Sequence, residues 1–95
     1  MNVYLYTMQD CPYCIKIKKE LKNLPSIYKK PVEIDYENLS NIIRTKYDIK
    51  MFPSIVFISN EHKVLKKLVG FFEIDDIISA YKEVINLQTV LEKGI

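Results

Sequence analysis

A run of alternating bulky side chains leads straight into the tetrapeptide Cys11-Pro12-Tyr13-Cys14, and a helical apolar period begins inside that tetrapeptide. No other feature of the chain restricts its architecture as much. Over residues 2–7 (NVYLYT), Val3, Leu5 and Thr7 alternate with Tyr4 and Tyr6, and both sets favour β structure, as in a central strand covered on both faces. Pro12 suits the first position of a helix, where its missing N–H would have no intrahelical partner and its φ is preset. From there Cys14, Ile17, Leu21 and Leu24 fall on one stripe while the lysines point away, and Pro25 ends the helix.

The remainder continues the alternation of strand and helix. Residues 31–35 (PVEID) predict a second strand, 38–47 a second helix and 54–59 (SIVFIS) an apolar third strand. A turn over Ser59-Asn60-Glu61-His62 leads to a fourth strand over about 63–69, which ends at Gly70. A last helix is predicted from about Glu73, with Ile77, Tyr81, Val84 and Leu91 as its apolar stripe and Gly94 as its cap. The order is therefore β1-α1-β2-α2-β3-β4-α3. A right-handed βαβ crossover makes the first two strands parallel neighbours, and the short turn makes the last two an antiparallel hairpin. The expected fold class is α/β, a four-stranded mixed sheet with helices on both faces.

A chain of 95 residues without internal repeats or a Gly/Ser linker is expected to form one domain over 1–95, with 88–95 as a helix extension or tail. Its 14 basic and 12 acidic residues leave a net charge of +2, too small a bias to point to nucleic acid or an acidic membrane surface. The basic residues are all Lys except Arg44. With 14 Ile, 6 Asn and a single Ala, that looks like a compositional bias of the genome, so single lysines carry little functional signal. No apolar run approaches the ~20 residues that a bilayer span needs, and the segment after Met1 lacks the pattern of an export signal. The expected setting is cytoplasmic, and the expected state a monomer.

Two cysteines three positions apart close no useful loop, so they do not read as a stabilising disulfide framework. Their surroundings point to chemistry instead. Cys11 falls at the N-cap, where free backbone N–H groups and the positive end of the helix dipole favour thiolate over thiol. Such environments lower a thiol pKa from ~8.5 to roughly 3.5–7.5. Cys14 opens the buried stripe and stays shielded. The asymmetry predicts that Cys11 attacks a substrate disulfide and that Cys14 resolves the mixed disulfide. Two alternatives are structural cysteines that happen to lie three apart, and a zinc or iron–sulfur site. The second would need more ligands than this pair and His62, which lies in a distant turn. No metal is expected.

Tyr6-Thr7, three further residues and then Cys11-Pro12-Tyr13-Cys14 resemble the opening of a glutaredoxin, whose characteristic site is CPYC and whose fold has this order of elements. The second half is more similar to thioredoxin: Tyr47-Asp48-Ile49-Lys50-Met51-Phe52-Pro53-Ser54, then an apolar strand, a hairpin and Val69-Gly70 before the last helix. The resemblance covers residues 1 to about 87 and implies a thioredoxin-like fold and a thiol–disulfide oxidoreductase. It assigns Cys11 and Cys14 as catalytic, with Pro12, Tyr13, Phe52, Pro53, Gly70 and Phe71 around the substrate. Phe52-Pro53 would be a cis peptide facing the cysteines, with the Phe52 backbone free to pair with an extended substrate.

The chain departs from both patterns. Met8 stands where glutaredoxins often carry a Lys that holds a glutathione carboxylate; Met51-Phe52-Pro53 replaces TVP, and the acidic pair after Gly70 is shifted to Asp75 and Asp76. Conversely, Asp10 and Leu5 occupy the positions of the thioredoxin Trp and buried Asp. Phe71 and Phe72 would either form an apolar rim suited to a protein disulfide or pack under the last helix. No bound cofactor is expected, with glutathione as a candidate co-substrate. The expected partners are disulfide-containing proteins, with glutathione or a thioredoxin-type reductase as electron donor. The reading from another class is a non-catalytic binding module on the same fold.

Overall fold

Strand pairing in the computed structural model, which describes residues 1–38 and 41–93 and side chains over 1–37 and 42–87, follows the expected order. Strands β1 (Asn2–Thr7), β2 (Val32–Asp35), β3 (Ser54–Ile58) and β4 (Val64–Val69) form one sheet in the order β2-β1-β3-β4. β1 runs parallel to β2, with Tyr6 opposite Ile34, and antiparallel to β3, with Tyr6 opposite Ser54. β3 and β4 form the antiparallel hairpin, and a register shift at Phe57/Ile58 absorbs the turn around an exposed His62. The carboxyl ends of β1, β2 and β4 and the amino end of β3 therefore share one edge of the sheet.

Helices α1 (Pro12–Glu20), α2 (Asn41–Lys46) and α3 (Ile74–Lys93) complete the fold. Side chains alternate across each strand, so each face of the sheet has its own core. On one face Val3, Leu5, Ile55 and Phe57 pack with Ile17 and Leu21 of the first helical segment and Ile77, Ala80, Tyr81 and Val84 of α3. On the other, Tyr6, Val56 and Ile58 meet Tyr47 and Ile49, with Ile43 of α2 against them. β3 is buried at every position, as a strand covered on both sides requires.

Three boundaries differ from the sequence expectation. The first helix stops being α-helical at Glu20 and closes as a 3₁₀ turn over Leu21–Asn23, with Leu24 N–H donating to Leu21 O at 3.1 Å. The tighter turn keeps Leu21 in the core and supplies acceptors for the last donors before Pro25. The second strand begins at Val32, because Pro31 has no N–H for the ladder. The second helix is preceded by a separate 3₁₀ turn, Tyr36–Asn38. The expected roles of the Leu91 side chain and of Gly94 lie outside the described residues. α3 starts where its charges favour it: Asp75 and Asp76 lie in the first turn, and Asp76 Oδ2 accepts the Glu73 N–H at 2.8 Å.

Candidate active site

β1 ends at Thr7, whose hydroxyl donates to Asp35 Oδ1 at 3.0 Å and ties the ends of the two parallel strands together. The chain then turns through Asp10, whose φ of 59° is left-handed, a conformation that Asp tolerates better than most residues. Asp10 is exposed, so its charge is solvated beside Cys11. Cys11 is the N-cap of α1, with extended backbone (φ −99°, ψ 108°) and Pro12 following in the first turn. Its Sγ accepts the Cys14 N–H at 3.2 Å, and its carbonyl accepts the Ile15 N–H at 3.1 Å. The two sulfurs are joined as a disulfide with Cα atoms 5.2 Å apart.

The cysteines differ less in exposure than their positions on the helix suggest. Cys14 is 1% exposed, and Cys11, expected outside the core at the helix tip, is itself only 7% exposed. The cause is the segment opposite: Phe52 and Pro53 are joined by a cis peptide, and the Phe52 carbonyl oxygen lies 3.8 Å from Cys11 Sγ. That segment is pinned on both sides of Phe52. Ser54 Oγ donates to the Met51 carbonyl, and Gly70 N–H donates to the Pro53 carbonyl at 2.9 Å. Gly70 has φ of +79°, which a side chain would strain. Among the described residues the Phe52 N–H has no hydrogen-bond partner.

Beyond Gly70 the two phenylalanines separate. Phe72 turns inward and joins the core with Ile77 and Tyr81, whereas Phe71 is 62% exposed and meets the Tyr13 ring edge to face, centroids 5.2 Å apart. Lys16 Nζ lies 5.1 Å from the Phe71 centroid and 3.6 Å from Glu73 Oε1. Met51 is also exposed, and its Cε lies at van der Waals distance (3.5 Å) from where a Cβ on Gly70 would sit. Tyr13, Met51 and Phe71 thus form an apolar rim on the α3 side of the disulfide.

A second aromatic pair lies on the other side. Phe52 meets Tyr36 edge to face at 5.3 Å, and Arg44 both stacks on the Tyr36 ring, 4.4 Å from its centroid, and donates from Nη1 to the Tyr36 hydroxyl at 2.8 Å. Met8, Gln9, Lys18, Asp35, Tyr36 and Glu37 line a cleft of about 290 Å³ beside this pair, with neither cysteine in its walls.

The structure therefore brings all the residues singled out in the sequence to one edge: Cys11, Pro12, Tyr13 and Cys14 on α1, Phe52 and Pro53 before β3, and Gly70 and Phe71 after β4. Sequence reasoning missed Tyr36, Arg44 and Lys16. Only one of these left a signal, since Arg44 is the single arginine in a lysine-rich chain. Among the described residues no three His, Cys, Asp or Glu side chains converge as a metal site would need, and no helix is long and apolar enough to cross a membrane. The arrangement can store and release two electrons: Cys14 is positioned to reach Cys11 and little else, and Cys11 borders a pinned peptide segment whose Phe52 N–H has no partner among the described residues.

A family model described as a thioredoxin-like domain matches residues 2–85. No curated protein matches the chain in sequence. Among solved structures it is similar to reduced Schistosoma mansoni thioredoxin, with a TM-score of 0.72 at 24% identity over 86% of this chain and 76% of that one. It is similar to thioredoxin 1 of Thermosipho africanus, with a TM-score of 0.72 at 12% identity over 94% and 99% of the two chains. A chain in the complex of ferredoxin:thioredoxin reductase with thioredoxin f2 gives 0.65 at 20% identity, over 85% of this chain and 74% of that one. At these identities the structural likeness concerns the fold.

Proposed function

The chain belongs to the thioredoxin-like domain family, and from that membership, together with a cysteine pair at the tip of α1, we propose that it is a dithiol thiol–disulfide oxidoreductase acting on protein disulfides. The observation that carries this reading is the placement of Cys11 Sγ between a backbone donor, Cys14 N–H, and the Phe52 carbonyl at the cis peptide. In the reduced protein the Cys11 thiolate attacks one sulfur of a substrate disulfide. A mixed disulfide forms and one substrate thiol leaves. Cys14, deprotonated in turn, attacks Cys11 Sγ, expelling the second substrate thiol and giving the Cys11–Cys14 disulfide. Two electrons and two protons pass to the substrate, and an external donor must return them.

The apolar rim of Tyr13, Met51 and Phe71 favours a protein substrate over a charged tripeptide. Met8, exposed where a carboxylate-holding Lys would stand in a glutaredoxin, points the same way. We therefore favour a thioredoxin-type reductase as donor, with glutathione as the second reading. The fold neighbour crystallised with a reductase supports this choice. A coupled assay decides. Turnover of a protein disulfide with a thioredoxin-type reductase, and little with glutathione plus glutathione reductase, is the expected result; the reverse would establish the glutaredoxin reading. Cys14→Ser is expected to accumulate a Cys11-linked mixed disulfide visible by mass spectrometry, and Cys11→Ser to abolish turnover. If the Cys11 thiol alkylates no faster than a free thiol at pH 6, the redox reading falls and a binding module takes its place.

A further inference from the structure

Most of the described lysines are exposed, but the single arginine of the chain is not. Arg44 on α2 is half-buried against Tyr36, using the flat face of the guanidinium on the ring and Nη1 on the phenol oxygen at once. A lysine ammonium, a point charge without a plane, cannot make both contacts. Tyr36 in turn presents its ring at 90° to Phe52, and Phe52 carries the carbonyl that faces Cys11 Sγ. The neighbouring carbonyls on this segment, Met51 and Pro53, are held by Ser54 and Gly70. The backbone around Phe52 is fixed by these two bonds only at its flanks; the Phe52 side chain rests on the core of Tyr47, Ile49 and Val56 on one side and on the Tyr36 ring on the other.

From this chain of contacts we infer that Arg44 and Tyr36 are positioning residues for substrate: they lock the Phe52 side chain and so hold the Phe52 N–H and carbonyl in register for an extended peptide whose disulfide sulfur lies on Cys11. The inference rests on the proposed thiol–disulfide exchange at Cys11. It also separates substrates into two classes. A peptide or protein disulfide uses the Phe52 backbone and needs this register, whereas a small disulfide without a peptide backbone needs only the sulfur. Misplacing the docked backbone by a fraction of an ångström is enough to slow reaction, because productive exchange needs near-linear approach of three sulfurs.

The test compares a short disulfide-linked peptide with 2-hydroxyethyl disulfide, both reduced by the full chain with dithiothreitol as donor. In Tyr36→Leu and Arg44→Met the ratio of kcat/KM for peptide to that for the small disulfide is expected to fall about tenfold, through KM more than kcat. Tyr36→Phe, which keeps the ring, and Arg44→Lys, which keeps the charge, should fall less. The double variant should lose no more than the worse single one, because both act through one side chain. Methylating successive amides of the peptide should slow the wild type at one position and cease to discriminate in the variants. An unchanged ratio in all five variants, or equal losses on both substrates accompanied by a lower Tm, would overturn the inference by making the cluster merely structural. A wild type inert toward both disulfides would overturn the redox reading, and this inference with it.

Discussion

Phe71 and Phe72 are adjacent, chemically identical and placed in opposite environments. Phe72 is in the core, so Phe72→Ala removes a ring from a packed site and should cost about 3–5 kcal/mol in a denaturant titration. Phe71 stands on Tyr13 in solvent; Phe71→Ala should stay within about 0.5 kcal/mol. If the rim contacts substrate, the same Phe71→Ala protein should show a raised KM for protein disulfides. Equal destabilisation by the two substitutions would refute the assignment. Sequence reasoning left these two residues undivided because a short loop has no period to say which neighbour turns inward. The cysteine pair was legible for the opposite reason. N-cap geometry is decided within four residues, and Cys11-Pro12-Tyr13-Cys14 contains all of them. Tyr36, Arg44 and Phe52 lie eight residues apart in succession, in a turn, a helix and a loop, and only the packing of α2 against the sheet brings them together.

Among the elements, α3 anchors a connection that has no regular structure of its own. Its Tyr81 ring packs edge to face on Phe57 at 4.9 Å and beside Tyr28 at 5.1 Å, and the Tyr81 hydroxyl donates to the Lys29 carbonyl. That bond pins the segment between α1 and β2. Tyr81→Phe should cost about 1 kcal/mol, seen as a lower urea midpoint at unchanged m. Hydrogen exchange should also quicken in residues 26–31 more than in β1, and uniform quickening would argue against a local anchor. The order of elements was legible because strand period and helix period alternate cleanly along this chain. Their ends were less so: the 3₁₀ turns at Leu21–Asn23 and Tyr36–Asn38 depend on how the last donors and acceptors find partners, which periodicity does not encode.

For the molecule as a whole, the two cores carry one telling phenol each. Burial pushes Tyr81 up to about 12, and burial followed by the neighbouring Tyr47 and Tyr4 does the same for Tyr6, from an ordinary value of 10.0. The folded state therefore holds these protons more tightly than the unfolded chain. Their contribution to stability is complete below pH 10 and is lost as pH rises toward 12. Stability should fall over that window, and absorbance at 295 nm should show a late-ionising component. In a Tyr6→Phe, Tyr81→Phe double variant that component should vanish and the fall should be shallower; its persistence would refute the assignment. Both faces loosen in the same window, so alkaline unfolding should be a single transition.

The sheet register has a practical consequence. Asn2 pairs with Ile58 at one edge and Tyr6 with Ser54 at the other, and the Met1 ammonium donates to Asn60 Oδ1 on the β3–β4 turn. Four residue steps of strand, about 13 Å, separate Asn2 from Tyr6, beyond which the chain turns toward the disulfide. A linker, surface or fusion partner attached at residue 1 would leave from the far side of the sheet. Tethered that way, a Cys14→Ser chain becomes bait: the end of the sheet that carries Cys11 is turned away from the support, and proteins that exchange with it can be washed, eluted with reductant and identified.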